Sequence, residues 1–153
     1  VVDGKEIMLG KALAKAKPMI PVSAQFGDQV TLLGLDWTPS ETPADRHAYL
    51  SPYWQTLKPF SQNFKIFVQG RDATGQTIIS ADHEVFDSLL PTQAWPTGRI
   101  LKDTLRLPIS GDTPAGQYTL YVGLYDPATL QRLPVSNDSS GENAAIFPGI
   151  ILP

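Results

Sequence analysis

Fourteen prolines in a chain of 153 residues are the feature that most restricts what this sequence can become. A proline inside a helix removes a hydrogen bond and clashes with the preceding turn, and in a central strand it leaves a gap in the ladder. The 12 glycines add further turn points. Such a chain favours many short strands joined by tight turns, and one of this length can bury roughly two-thirds of its unfolded surface in a single core. Hydrophobic residues at 42% and charged residues at 18% describe an ordinary globular protein rather than a disordered one.

The local pattern supports strands. Val30 and Leu32 occupy one phase, while Leu33, Leu35 and Trp37 occupy the other, so the alternation slips beside Gly34 and predicts a bulge there. Thr38-Pro39-Ser40-Glu41-Thr42-Pro43-Ala44-Asp45 reads as turn throughout. Residues 48–57 place Leu50 and Trp54 on one face with Pro52 between them, which predicts an edge or bulged strand. Phe64, Ile66 and Val68 alternate with polar and aromatic neighbours. Asp72-Ala73-Thr74-Gly75 then reverses the chain into Thr77, Ile78 and Ile79, as a hairpin does. Leu105, Leu107 and Ile109 form another inward phase. Tyr118, Leu120, Val122 and Leu124 form the clearest one, and Tyr118 after Gly116 reads as a tyrosine corner. Leu133 and Val135 are expected to return antiparallel after the turn at residues 126–129, and residues 145–152 to close the sheet beyond a polar loop at 136–143.

The expected fold is therefore all-β: an antiparallel two-sheet sandwich of about seven to nine strands, immunoglobulin-like or jelly-roll-like. One domain spans residues 1–153, with 1–25 as an N-terminal strand and linker and 26–153 as the main sandwich. Residues 5–17 suit either strand or helix, and the spacing of Ile7, Leu9 and Leu13 favours strand. The chain begins at Val1 rather than Met, and it reads as a piece excised from a longer protein.

Several function classes lose support. With a net charge of −3 and only 12 Lys and Arg, scattered apart from Lys11, Lys15 and Lys17, the sequence does not offer the clustered cations that phosphate backbones require. The absence of Cys excludes disulfides, thiol nucleophiles and zinc–thiolate sites. No apolar run reaches the roughly 18 to 20 residues that span a bilayer, so this segment is not expected to insert into a membrane. No Gly-x-Ser-x-Gly elbow, phosphate loop or calcium loop is present, and no cofactor, metal or catalytic residue is assigned.

Four groups of residues are candidates for chemistry. Asp82-His83-Glu84 is the densest polar cluster, but strand alternation puts the two acids on one face and His83 on the other. Asp82 and Glu84 as a glycosidase-like pair need carboxyls roughly 5 to 10 Å apart in a cleft. Asp45 and His47 supply only two potential metal ligands, too few for a site. Trp95 lies between prolines in Leu90-Pro91-Thr92-Gln93-Ala94-Trp95-Pro96-Thr97-Gly98-Arg99. An indole on a stiff loop stacks on a sugar ring at little entropic cost, with Arg99 and Gln93 as hydrogen-bond partners; the competing reading has Trp95 capping the open end of the sandwich. Tyr121 and Tyr125, on the phase opposite the aliphatic one, would make a second platform for a glycan or a protein if that sheet face is open.

Four ordered segments carry a resemblance. They are Phe26-Gly27-Asp28 leading to Leu32-Leu33-Gly34; Tyr53-Trp54-Gln55-Thr56-Leu57; Pro91 through Trp95 with Gly98; and Pro114-Ala115-Gly116-Gln117-Tyr118 followed by Val122-Gly123-Leu124-Tyr125-Asp126-Pro127-Ala128-Thr129. Over residues 26–135 the chain resembles the soluble C-terminal β-sandwich domain of bacterial membrane glycosyltransferases related to the protein O-mannosyltransferases. It departs at Leu130, where that family's hairpin carries Gly. The resemblance implies a domain on the extracytoplasmic side of the cell membrane, with catalysis left to the parent's membrane portion, so none of the residues here inherits a catalytic role. The partners it implies are glycan, acceptor or the parent's membrane domain. Two alternatives stand beside it: an immunoglobulin-like spacer without a ligand, and a hydrolase resting on Asp82 and Glu84.

Overall fold

The computed structural model describes residues 4–42, 44–138 and 140–153; residues 1–3, together with Pro43 and Ser139 of the expected turn and loop, lie outside the described residues. Nine strands among these residues form two antiparallel sheets packed face to face. The first sheet contains β1 (Ile20–Phe26), β2 (Val30–Pro39), β3 (His47–Thr56), β6 (Ile100–Lys102) and β7 (Leu105–Pro108). The second has the order β5 (Thr77–Glu84), β4 (Lys65–Arg71), β8 (Gly116–Tyr125), β9 (Ala145–Leu152). The sandwich is the one expected from the alternation.

The bulge sits where the slip predicted it. Pairing of β2 with β3 shifts between Leu32 and Gly34, which lets Val30, Leu32, Leu35 and Trp37 all reach the core. Gly34 has a φ of 150°, and a Cβ there would lie 2.8 Å from the Pro18 ring and collide with the Ile20 carbonyl. Only glycine tolerates so close an approach of β1.

The expectation that residues 48–57 form an edge strand is corrected. β3 is central, with β2 on one flank and both β7 and β6 on the other. Pro52 is accommodated because β7 pairs with His47 to Leu50 and β6 with Tyr53 to Gln55. The Pro52 carbonyl accepts the Asp103 amide at 3.1 Å in the interval between these two strands. A residue's N and C=O point to the same side of an extended chain, so the missing donor falls where no ladder partner waits.

Residues 5–17 are likewise corrected: α1 (Gly4–Ala12) is a helix. Its Ala, Leu, Met, Lys and Glu content favours helix, Lys11 lies in its last turn, and Ala12 is buried against the core. The division at 25/26 also shifts, because β1 pairs with β2 and belongs to the sandwich. Leu13 bridges Leu101, and the Ala14 amide donates to Ile100 at 2.9 Å, so this segment covers the free edge of β6. Leu133 and Val135 do not form a strand either. Pro134 interrupts the run, leaving single bridges from Arg132 to Tyr125 and from Val135 to Phe26.

The interior is one cluster in which Leu50, Trp54, Ile66, Val68, Leu120, Val122 and Leu124 are fully buried. Each such side chain contributes roughly 1.5–3 kcal/mol through burial. Tyr118 donates its hydroxyl to Pro114 O at 2.7 Å, which is the tyrosine corner expected from its spacing.

A strained turn adjoins this core. Phe86, Asp87 and Ser88 have φ of 49°, 52° and 68°, a left-handed run costing roughly 1–2 kcal/mol per residue. Burial of Val85 and Phe86 holds it, as does Asp103, whose Oδ2 accepts the Phe86 amide at 2.8 Å and whose Oδ1 accepts the Thr104 amide at 2.8 Å. Desolvation pushes the Asp103 carboxyl up to about 6, helped by nearby Asp87. The folded pKa lies above that of an unfolded Asp, so the folded state retains the proton between about pH 4 and 6. The contribution to stability is complete below about pH 4 and is lost as pH rises through about 6, by an amount on the order of 3 kcal/mol. Urea unfolding of the wild type and Asp103→Asn across pH 4 to 7 is expected to show the wild type losing stability relative to the variant as pH rises; parallel profiles would contradict it.

Candidate functional site

The outer face of the second sheet holds the richest combination of exposed chemistry. Strand alternation sends Phe67 of β4 and Tyr121 and Tyr125 of β8 away from the core, where Phe67 and Tyr125 form a small cluster with Ala144, separate from the main core. Their rings lie 6.4 Å apart and tilted by 52°. Gly123 makes this possible: a Cβ there would lie 2.6 Å from Phe67 Cε1, so the missing side chain is the space the Phe67 ring occupies.

Arginines pack over two of these rings. The Arg132 guanidinium lies 4.1 Å from the Phe67 centroid and that of Arg71 lies 4.0 Å from the Tyr121 centroid. Glu142 ties the two together. It accepts Arg71 in a two-pronged bond at 2.9 and 3.0 Å, and its backbone carbonyl accepts Arg132 at 2.9 Å. The Arg71 hydrogen bonds hold the Glu142 carboxyl below its ordinary range.

Between these groups runs a groove of about 270 Å³. Phe67 and Tyr125 form its floor, Leu130 and Arg132 one wall, and Gln69, Ser80 and Asp82 its polar rim. The floor rings are largely buried, at 4% and 7% exposure, so a ligand meets the rim as much as the rings. Burial, then the charge of Asp82, holds the Tyr125 phenol above the usual tyrosine range, and it remains a hydrogen-bond donor at neutral pH. Leu130 is 73% exposed with φ of 63°. Glycine adopts this left-handed conformation freely, whereas leucine does so rarely.

The residues singled out from sequence separate. Trp95 is corrected as a sugar platform: it is 3% exposed and packs on Trp54, Phe60 and Phe86 at 6.0, 5.6 and 5.8 Å. Its indole N–H donates to Leu90 O at 2.9 Å. Thr92 is buried, with its hydroxyl linking the Phe64 amide to Gln62 O, and this anchor turns the loop inward so that Trp95 closes the end of the sandwich. Gln93 and Arg99 remain exposed on that loop, and Gln93 is held by Ser61 and Asn63. Tyr121 shares the outer face, but its ring is covered by Arg71. Of the five residues, only Tyr125 lines the groove.

The acids behave as alternation required. Asp82 and Glu84 are exposed on the outer phase of β5, with His83 partly buried on the inner phase, and Glu84 faces Lys65 at 3.6 Å. Asp45 forks onto Arg106 at 2.9 and 3.0 Å. Among the described residues, no three of the His, Asp and Glu side chains gather as metal ligands would, and no helix is long and apolar enough to cross a membrane.

On the other sheet, Asp36 receives the Tyr53 hydroxyl and the Met19 amide at 2.7 Å each, and Lys102 at 3.2 Å. Burial pushes the Asp36 carboxyl up, but these three donors together hold it below the ordinary range. This cluster fastens β1 and β6 to the sheet, a structural use for the carboxylate. Comparison with known protein-family models and with curated protein sequences returns no match to this chain.

Proposed function

We propose that this domain is a non-catalytic accessory module of an envelope membrane glycosyltransferase, held on the extracytoplasmic side of a bacterial membrane, where it contacts glycan. The resemblance over residues 26–135 supports the parent class. The groove over Phe67 and Tyr125 supports the ligand class, because it combines ring edges with Asp82, Gln69, Ser80 and Arg132, the mixture of apolar surface and convergent hydrogen-bonding groups that orients a sugar.

A shallow groove with a nearly buried floor gives weak binding, with Kd near 1 mM, corresponding to about −4 kcal/mol. Leu130→Gly is the informative variant. It removes an exposed wall while relieving a left-handed backbone position, so the fold is expected to hold or gain slightly, whereas sugar affinity falls about five-fold. Calorimetry against a panel of oligosaccharides, with urea unfolding in parallel, measures both. A flat response of the wild type to every sugar would remove the glycan reading.

The burial of all three tryptophans favours a second reading, an immunoglobulin-like spacer with no small ligand. It expects the wild type and Leu130→Gly to be equally silent.

A further inference from the structure

We infer that the groove selects neutral, hydroxyl-rich sugars and discriminates against anionic ones. This rests on the glycan reading of the same groove and adds the charge class of the ligand. The argument comes from the pairing of the charges around it. Arg71 is committed to Glu142 by two hydrogen bonds. Arg132, the cation in the groove wall, donates to the Glu142 carbonyl and lies 3.6 Å from its carboxylate. Lys65 faces Glu84 at 3.6 Å. Each cation of the face therefore has an anion beside it, and an incoming carboxylate or phosphate would have to compete with Glu142 or Glu84 for it.

Asp82 is the exception. It is exposed on the groove rim and has no ion-pair partner among the described residues. A carboxylate accepts hydrogen bonds and donates none, so it receives two sugar hydroxyls well and repels a like charge. The neighbouring groups supply the complement. Gln69 spends its carbonyl oxygen on Arg71 at 3.1 Å, which leaves its amide hydrogens to donate, and the Tyr125 phenol lines the floor at the other end, opposite Lys65 rather than Gln69 in the ladder. Asp82 has the Tyr125 phenol against it, but a carboxylate has about four acceptor sites, and those that remain match vicinal hydroxyls, each of which both donates and accepts.

The test uses the isotope-labelled domain, titrated at one ionic strength with a methyl mannoside and a mannobiose as neutral probes. Glucuronate and a hexose phosphate serve as anionic ones, all followed by amide NMR. The neutral sugars are expected to bind about five-fold or more tightly than the anionic ones, with shifts at Gln69, Ser80 and Asp82. Asp82→Asn, a change on an exposed strand position, is expected to narrow that gap to about two-fold without altering the rest of the spectrum. Tighter binding of the anionic probes by the wild type, at the same residues, overturns the charge class while leaving a glycan groove in place. An unchanged preference in Asp82→Asn also overturns it. Silence toward all four probes removes the glycan reading itself, and the inference with it.

Discussion

Trp95→Ala is expected to cost about 4 kcal/mol of stability, in the range of buried Phe or Trp truncations. The indole is surrounded by Trp54, Phe60 and Phe86, all with ring centroids within 6.0 Å, and its N–H is satisfied by Leu90 O. Truncation therefore leaves a cavity lined by rings that cannot collapse into it, and orphans an acceptor in the same place. Urea unfolding should show a lower midpoint with an unchanged slope. A binding-loop tryptophan behaves differently, since its replacement at the surface shifts stability by no more than about 0.5 kcal/mol. A result of that smaller size would restore the exposed-platform reading.

Gly123→Ala is expected to be costly for a different reason. The added methyl would sit 2.6 Å from Phe67 Cε1 and 3.1 Å from Asn143 O. The end of a ring can often swing away, but Phe67 is held between the Arg132 guanidinium and Tyr125. Overpacking of this kind costs typically 1–3 kcal/mol, and here it also lifts the groove floor. Stability and sugar affinity should therefore fall together in Gly123→Ala, whereas Leu130→Gly lowers affinity alone. Unchanged stability in Gly123→Ala would show that Phe67 is free to move and that the floor is not built as described.

The sheets were legible because their signal is local. A period of two from Tyr118 to Leu124 can be satisfied only by a strand with one buried face, and the slip at Gly34 marks a bulge for the same reason. What failed was decided at longer range. Pro52 looked like an edge residue because its neighbours in the sequence say nothing about the interval between two short strands arriving from residues 100–108. The helix at Gly4–Ala12 had the composition of a helix, but its apolar positions fit a strand as well.

The site shows the same division. Tyr121 and Tyr125 were correctly placed on one outer face by alternation, but only the fold brings Arg71 over the first and leaves the second beside a groove. Phe67 was visible in the sequence as the outward partner of Ile66 and Val68, and Gly123 as the small residue between Val122 and Leu124. Their register, with Phe67 directly opposite Gly123, depends on strand pairing. Trp95 carried two readings because flanking prolines suggest a stiff projecting loop; the one that holds, an indole capping the end of the sandwich, follows from an inward turn that depends on the Thr92 hydroxyl reaching residues about thirty positions earlier, Gln62 and Phe64.

The most direct test of the account is to follow the tryptophan indole signals and the backbone amides in one NMR titration with a neutral mannobiose. Shifts gathered on Phe67, Gln69, Ser80, Asp82 and Leu130, with the Trp95 indole unmoved, are the expected outcome. Movement of the Trp95 indole together with Arg99, while the amides of β4 and β5 stay in place, would contradict it.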